Sequence, residues 1–434
     1  MLKRLGPSVV SAGEATTAPF PSKLEFNPPA HGVWNIVHTG MLIPEAHQIY
    51  ICPVNCLRGV VLTAAEMGAQ ERFSCVVLKE QDVTRGTVEQ VTLDGIIEAL
   101  RKLDELPPCV IVFPVCTHHF LGINMAHLYR QLEREFPQVD FVRAYMDPIM
   151  KKHLPPDVRL RRAMYEPLRP CKADEQLVAV LGSDFALDES CDLRHVLLGG
   201  GYRLVDIQHC QSYEEYLALA RAATFISTYP NGRNGAERAA VRLGRRHLFL
   251  PGSFDFEEIA AEHAQLAEAL GLAAIDVTSE IEACKQALAQ ALAIIGQTPI
   301  AIDASAHPRP LGLARLLLES GFDVREVYLD AVMGEEEPAL PWLREHAPKV
   351  ELSSIILPDL RVAERTREQE VLAIGQKAAW FTGSSHFVNL VEGGGLWGFD
   401  GVRRMAALMV DAFEHEKDPR DLIPRKGLGC PSCF

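Results

Sequence analysis

Residues 109–120 read CVIVFPVCTHHF. The run Cys109–Val115 is short, apolar and rich in valine and isoleucine, and it gives way at once to Cys116 and a helical pattern. A strand followed directly by a helix is half of a βαβ unit, and such units build parallel sheets. Ligands of open α/β sheets sit outside the carboxyl ends of the strands. Cys116 therefore stands in the crevice position.

The same alternation extends outward in both directions. The first third also offers CVVL from Cys75 and VDFVRAY from Val139. A second set follows the proline-bearing stretch near Pro167–Gln176: LVAVLG from Leu177, YRLVDIQ from Tyr202, TFIS from Thr224 and HLFL from His247. A third set begins near Thr298 with PIAIDA, VREVYL, VELSSIIL and AAWFTG. Helical patterns such as 213–223 and 257–271 lie between the runs. Three sets predict three doubly wound α/β lobes with parallel sheets. Their expected limits are 30–172 for the first lobe, 173–295 for the second and 296–415 for the third. Residues 1–29 read as an N-terminal arm, and 416–434 as a tail ending in the CxxC pair Cys430 and Cys433.

The chain has 434 residues, 48% of them apolar and 23% charged, enough for a large core. A net charge of −14 excludes the basic stripe that nucleic-acid backbones require. No uninterrupted apolar window is long enough for a membrane span, and the N-terminus lacks a secretory apolar region. A cytoplasmic protein is expected. Eleven cysteines in a reducing compartment argue for buried thiols and metal ligands rather than disulfides.

Two positions besides Cys116 carry that argument. Cys52-Pro-Val-Asn-Cys56 precedes a helical pattern with Val60, Val61, Ala64, Ala65 and Met67 at its apolar positions. Cys56 falls at the helix start, where a thiolate is favoured. Cys52, Cys56 and Cys116 on neighbouring loops form the donor set of an iron–sulfur cluster, or are ordinary loop cysteines. A radical-type CxxxCxxC motif would need a third cysteine where Gly59 stands. Cys75 and Cys109 open apolar strands and read as core.

CPVNC resembles the HGPVGC segment of the nitrogenase component 1 family, and CTHHFLGIN resembles its C-P-x-G-L-I-G-D-D segment. Gly398-Phe-Asp-Gly401 resembles its G-F-D-G segment. The three occur in the family's order across roughly residues 30–415. The resemblance implies three Rossmann-like lobes and a [4Fe–4S] cluster, or a larger iron–sulfur cluster, on Cys56 and Cys116. The family's first cluster cysteine has no counterpart in HGVWNIVHTG, and Cys52 stands as its replacement. The cofactor-holding cysteine and histidine of the catalytic chain fall at Ser227 and Trp397, neither of them a ligand for such a cofactor. The resemblance is thus to a nitrogenase-like chain, not a dinitrogen-reducing subunit.

It implies an oxidoreductase component that accepts electrons from an ATP-dependent iron protein and reduces a small molecule in the inter-lobe cleft. The alternative is a non-catalytic scaffold on which a metallocluster is assembled. Family members act as homo-oligomers or with a paralogous component 1 chain. This chain has no Gly-x-x-x-x-Gly-Lys-Ser/Thr of its own. His118 and His119, next to Cys116, are candidates for proton donation or for hydrogen bonds to cluster sulfurs; a helix cap or a solvated pair is the other reading. The stretch 228–235 joins a strand to a helix, either cradling an anion with Arg233 as counter-charge or making a plain βα turn. Trp397 and Asp400 of LWGFDG complete the candidate cofactor set with Ser227 and Arg233.

Overall fold

The computed structural model describes residues 8–20, 36–147, 155–332, 334–357 and 369–419. Cys430 and Cys433 lie outside them. Among the described residues fourteen strands form three sheets.

The first sheet has the order β3 (Phe73–Val77), β2 (His47–Cys52), β4 (Cys109–Pro114), β5 (Asp140–Arg143), all parallel. The second runs β7 (Arg203–Asp206), β6 (Asp174–Val180), β8 (Ala222–Ser227), β9 (Arg246–Phe249), also parallel. The third runs β1 (Val9–Ser11), β12 (Glu351–Ser353), β11 (Val324–Tyr328), β10 (Ile300–Asp303), β13 (Leu372–Ile374), β14 (Phe387–Val388). Only β1 of that sheet is antiparallel to its neighbour. Apart from β1, which joins the outer edge of the third sheet, the chain in each sheet starts near the middle, winds to one edge, then returns to wind the other way. Each therefore has a topological switch point: between β2 and β4, between β6 and β8, and between β10 and β13. The fold is three doubly wound, Rossmann-like lobes. Every residue of β2, β4 and β10 is buried, as strands covered on both faces must be.

The chain divides into two compact units. One is built from Val33–Asp184 and Arg203–Phe249 and holds the first two sheets. A single apolar core joins them, from Tyr50, Cys109 and Phe113 to Ala179, Tyr216 and Phe225. The other unit contains Phe185–Tyr202 and Leu250–Leu428 with the third sheet. Its core includes Leu288, Ile302, Leu317, Leu352, Phe399 and Met409.

Three expectations change. AAWFTG is not a strand but part of the helix Gln376–Thr382, flanked by β13 and β14. Gly375, at φ 108°, makes the turn into it, and the buried Asp303 carboxylate accepts the Ala378 N–H at 2.8 Å. That distant cap outweighs the strand preference of Trp380, Phe381 and Thr382. Cys75 is not core: β3 is an edge strand, and its thiol is exposed. The apolar pattern after Cys56 is only half buried. Val60 and Ala64 face the core of the helix Val54–Glu66, whereas Val61 and Met67 are 49% and 37% exposed. No described helix is long and apolar enough to cross a membrane.

Candidate metal centre

The first switch point gathers the predicted thiols. β2 ends at Cys52; Pro53 continues in extended backbone, and the helix begins at Val54. Cys56 thus lies in the first helical turn, its N–H on the Pro53 carbonyl at 2.9 Å. Pro114, the last residue of β4, pairs with Ile51 of β2. The two segments consequently leave the sheet side by side, and Cys116 opens the helix Cys116–Phe120. Cys52 is buried, Cys116 half-buried and Cys56 exposed, and all nine described cysteines are free thiols.

Their electrostatics report the same proximity. Burial pushes the Cys52 thiol up to about 12, and the neighbouring Cys56, Cys75 and Cys116 add to the shift. Burial and Cys116 raise Cys56. With only protein around them the Cys52 and Cys56 thiols stay protonated. A cationic iron centre would reverse that balance, because the thiolate is the ligand. Among the described residues no three His, Cys, Asp or Glu side chains converge to hold one metal ion. A cubane makes a different demand, since each thiolate binds its own iron corner.

The two histidines differ sharply. His118 is 2% exposed, and its ring is fully engaged. The Thr92 hydroxyl donates to the Val88 carbonyl at 2.7 Å, so it must accept from His118 Nε2 at 2.9 Å. Nδ1 is then free to accept the Val115 N–H at 3.2 Å. That arrangement fixes a neutral ring, and burial lowers its pKa to about 4. His119 is exposed, with Nδ1 3.9 Å from the buried Asp147 carboxylate.

At the second switch point Ser227 ends β8, fully buried, its hydroxyl 2.8 Å from His247 Nε2. The stretch after it is helical from Pro230, so Arg233 lies on the helix Pro230–Leu243 with its guanidinium over the Phe249 ring at 4.6 Å. The glycines there serve packing. A Cβ on Gly232 would come within 2.3 Å of Gly182 Cα, and one on Gly235 within 2.2 Å of the Arg161 carbonyl. The third switch point carries Asp303, buried, whose Oδ1 accepts the Ser305 and Ala306 N–H groups and whose Oδ2 accepts that of Ala378, so it serves the turn and the helix start.

Trp397 and Asp400 belong to the other unit. Trp397 is buried, its ring 4.7 Å from that of His263. Its indole N–H lies near the Glu262 carboxyl but outside hydrogen-bond geometry. Burial pushes Glu262 up to about 7. Gly398 opens the helix Gly398–Glu414, and the Asp192 carboxylate caps it. Asp192 accepts from Phe399 N at 2.6 Å, Asp400 N at 3.1 Å and His263 Nε2 at 3.0 Å. Burial opposes ionisation of Asp400, but contacts with Asp192 and Arg403 hold it below the usual carboxylate range.

Thr92, Asp147, His247 and Asp192 were not legible as site residues. Each meets its partner through tertiary packing, with no fixed spacing to mark it.

No family model and no curated protein matches the chain. Solved structures do. A chain of nitrogenase Cp1 at pH 6.5 superposes with a TM-score of 0.64 at 10% identity, covering 91% of this chain and 94% of that one. A chain of nitrogenase Cp1 at pH 5 gives 0.56 at 14% identity, with 94% of each covered. The likeness spans all three lobes and is one of fold.

Proposed function

We propose that this chain is a nitrogenase-like iron–sulfur component that receives electrons from an ATP-dependent iron protein and reduces a small-molecule substrate. The observation that carries the reading is the grouping of Cys52, Cys56 and Cys116 at the switch point of the first sheet. Their thiolates would hold a [4Fe–4S] cluster or a larger relative, which supplies one-electron transfer when bound. Cys52 anchors from the buried side, and Cys56 and Cys116 close the solvent side. His119 beside Asp147 is the accessible proton carrier, whereas the neutral His118 orients its turn. Val54, Val61, Phe120 and Leu121 leave an apolar surface around the thiols, Phe120 72% exposed, as suits a site covered by a partner chain.

The test is an anaerobic reduction assay with dithionite, an iron protein and ATP. Turnover is expected to require both the iron protein and ATP and to fall with Cys56→Ala. Equal turnover by this chain and dithionite alone would overturn the two-component reading.

A second reading, a scaffold for metallocluster assembly, is favoured by one pair of observations. Ser227 is committed to His247, and Trp397 is packed against His263. Neither offers a ligand to a resident cofactor. Stoichiometric transfer of a metallocluster to an acceptor, without turnover, would select the scaffold.

A further inference from the structure

Cys116 opens a helix of five residues, Cys116–Phe120. A helix that short does not hold its own direction, so contacts from outside must set it. Several of those contacts run through His118. Its backbone N–H donates to the Val115 carbonyl at 3.0 Å, and its carbonyl accepts the Ile123 N–H at 3.0 Å. Its ring Nδ1 stands 3.2 Å from the Val115 nitrogen and 3.3 Å from the Val115 carbonyl oxygen. That ring atom has two partners within reach, and the tautomer chooses between them. Unprotonated, Nδ1 accepts the Val115 N–H and ties down the residue just ahead of Cys116. Protonated, it turns to the carbonyl, which the His118 backbone already uses, and the Val115 N–H loses its ring acceptor.

Thr92 makes that choice. It is fully buried on the helix Val88–Arg101, an element that carries none of the thiols. Its hydroxyl proton goes to the Val88 carbonyl at 2.7 Å. Toward His118 Nε2, 2.9 Å away, the hydroxyl can then only accept. Nε2 must carry the ring proton, and Nδ1 keeps its lone pair for Val115. A valine at this position would fill the same space and select neither tautomer. A serine would keep the acceptor.

We propose that Thr92 is a positioning residue for the cluster ligand Cys116, acting from a separate helix through the tautomer of His118. The proposal rests on the cluster reading for what Cys116 does, but not for how Cys116 is held. Outlying hydrogen-bond partners of this kind orient metal ligands, and their removal weakens metal binding.

The test sets Thr92→Val beside Thr92→Ser and reads three quantities. In the iron-free chain, nitrogen NMR of the imidazoles is expected to show His118 protonated at Nε2 in the wild type and in Thr92→Ser, and at Nδ1 in Thr92→Val. The resonance missing from His118→Gln assigns the ring. Alkylation of Cys116 in the iron-free chain, followed by peptide mass, is expected to quicken severalfold in Thr92→Val and not in Thr92→Ser. After anaerobic reconstitution, chelator competition is expected to find iron held on the order of tenfold more weakly by Thr92→Val, with Thr92→Ser at the wild-type level. A wild-type ring protonated at Nδ1, a Thr92→Val ring still protonated at Nε2, a Thr92→Val chain with unchanged alkylation, or a Thr92→Ser chain as impaired as Thr92→Val would each overturn the role of Thr92. Should Thr92→Val not fold, the wild-type tautomer and the Thr92→Ser measurements still decide. A wild-type chain that takes up no iron would instead sink the cluster reading, while the tautomer and the alkylation rate continue to judge Thr92.

Discussion

Two stretches share the look of family motifs, yet the protein uses them differently. Around Gly398 the carboxylates, the arginine and the cysteine each have a structural partner, although the Trp397 indole N–H does not. Asp192 takes two helix amides and a histidine, Arg403 bridges Asp400 and Glu280, and Cys284 donates to the Phe399 carbonyl. Cys52 packs in the apolar core and Cys116 against it, yet the three thiols make no hydrogen bond among the described residues. A motif whose charged groups hold one another and a helix end explains itself through stability. The Cys52 and Cys56 thiols, raised by burial and by neighbouring thiols, have no such role, and they are the groups the proposed cluster would use.

The contrast breaks most readily at Gly398. Its φ is +76°, and a Cβ there would lie 2.3 Å from an Asp192 carboxylate oxygen. Gly398→Ala is expected to cost about 4 kcal/mol through strain and loss of the cap, read by urea denaturation. Iron binding is expected to persist in whatever fraction remains folded.

The two regions also differ in their response to pH. Burial depresses His118 to about 4, so between pH 6.5 and 4 the unfolded chain binds the extra proton. Stability is fully present above pH 6.5 and falls by up to about 3 kcal/mol as pH drops through that window. His118→Gln is expected to flatten this acid limb, and an unchanged limb would remove His118 as its cause. Glu262 has the opposite sign. Burial raises it to about 7, so its contribution is complete below about pH 4.5 and is lost as pH rises to 7. Glu262→Gln is expected to gain about 2 kcal/mol in relative stability at pH 8 over pH 5. The same relative stability at both pH values would show that Glu262 does not titrate in that window.

The smallest expected effect on stability belongs to the thiols. Cys56→Ala and Cys116→Ala are expected to shift unfolding by less than about 1 kcal/mol in the iron-free protein, since Cys56 is exposed and Cys116 only half-buried at the core's edge. A loss of several kcal/mol in either would mean that the thiols serve packing, and the contrast with Gly398 would fail.

The three-lobed fold was legible because its central strands are short Val/Ile runs followed by helices, as in Cys109–Val115 and Leu177–Gly182. β2 was passed over because His47, Gln48 and Tyr50 dilute its apolar run, although all six of its residues are buried. Cys75 and AAWFTG misled for a shared reason. Edge exposure and a cap from Asp303 are properties of neighbours far along the chain, not of the local residues. Of the candidate site, the cysteines were readable because crevice positions follow strand ends. The commitments of His118 to Thr92 and of Ser227 to His247 were not, because packing alone creates them.

The central claim is that Cys52, Cys56 and Cys116 together hold an iron–sulfur cluster. The most direct measurement is iron and sulfide content with Mössbauer spectra of the anaerobically reconstituted chain, beside Cys56→Ala and Cys116→Ala. About four irons per site are expected in the wild type, with most of that iron lost in each variant and Cys75→Ala unaffected. Wild-type protein without iron, or full iron occupancy in both variants, would contradict the account.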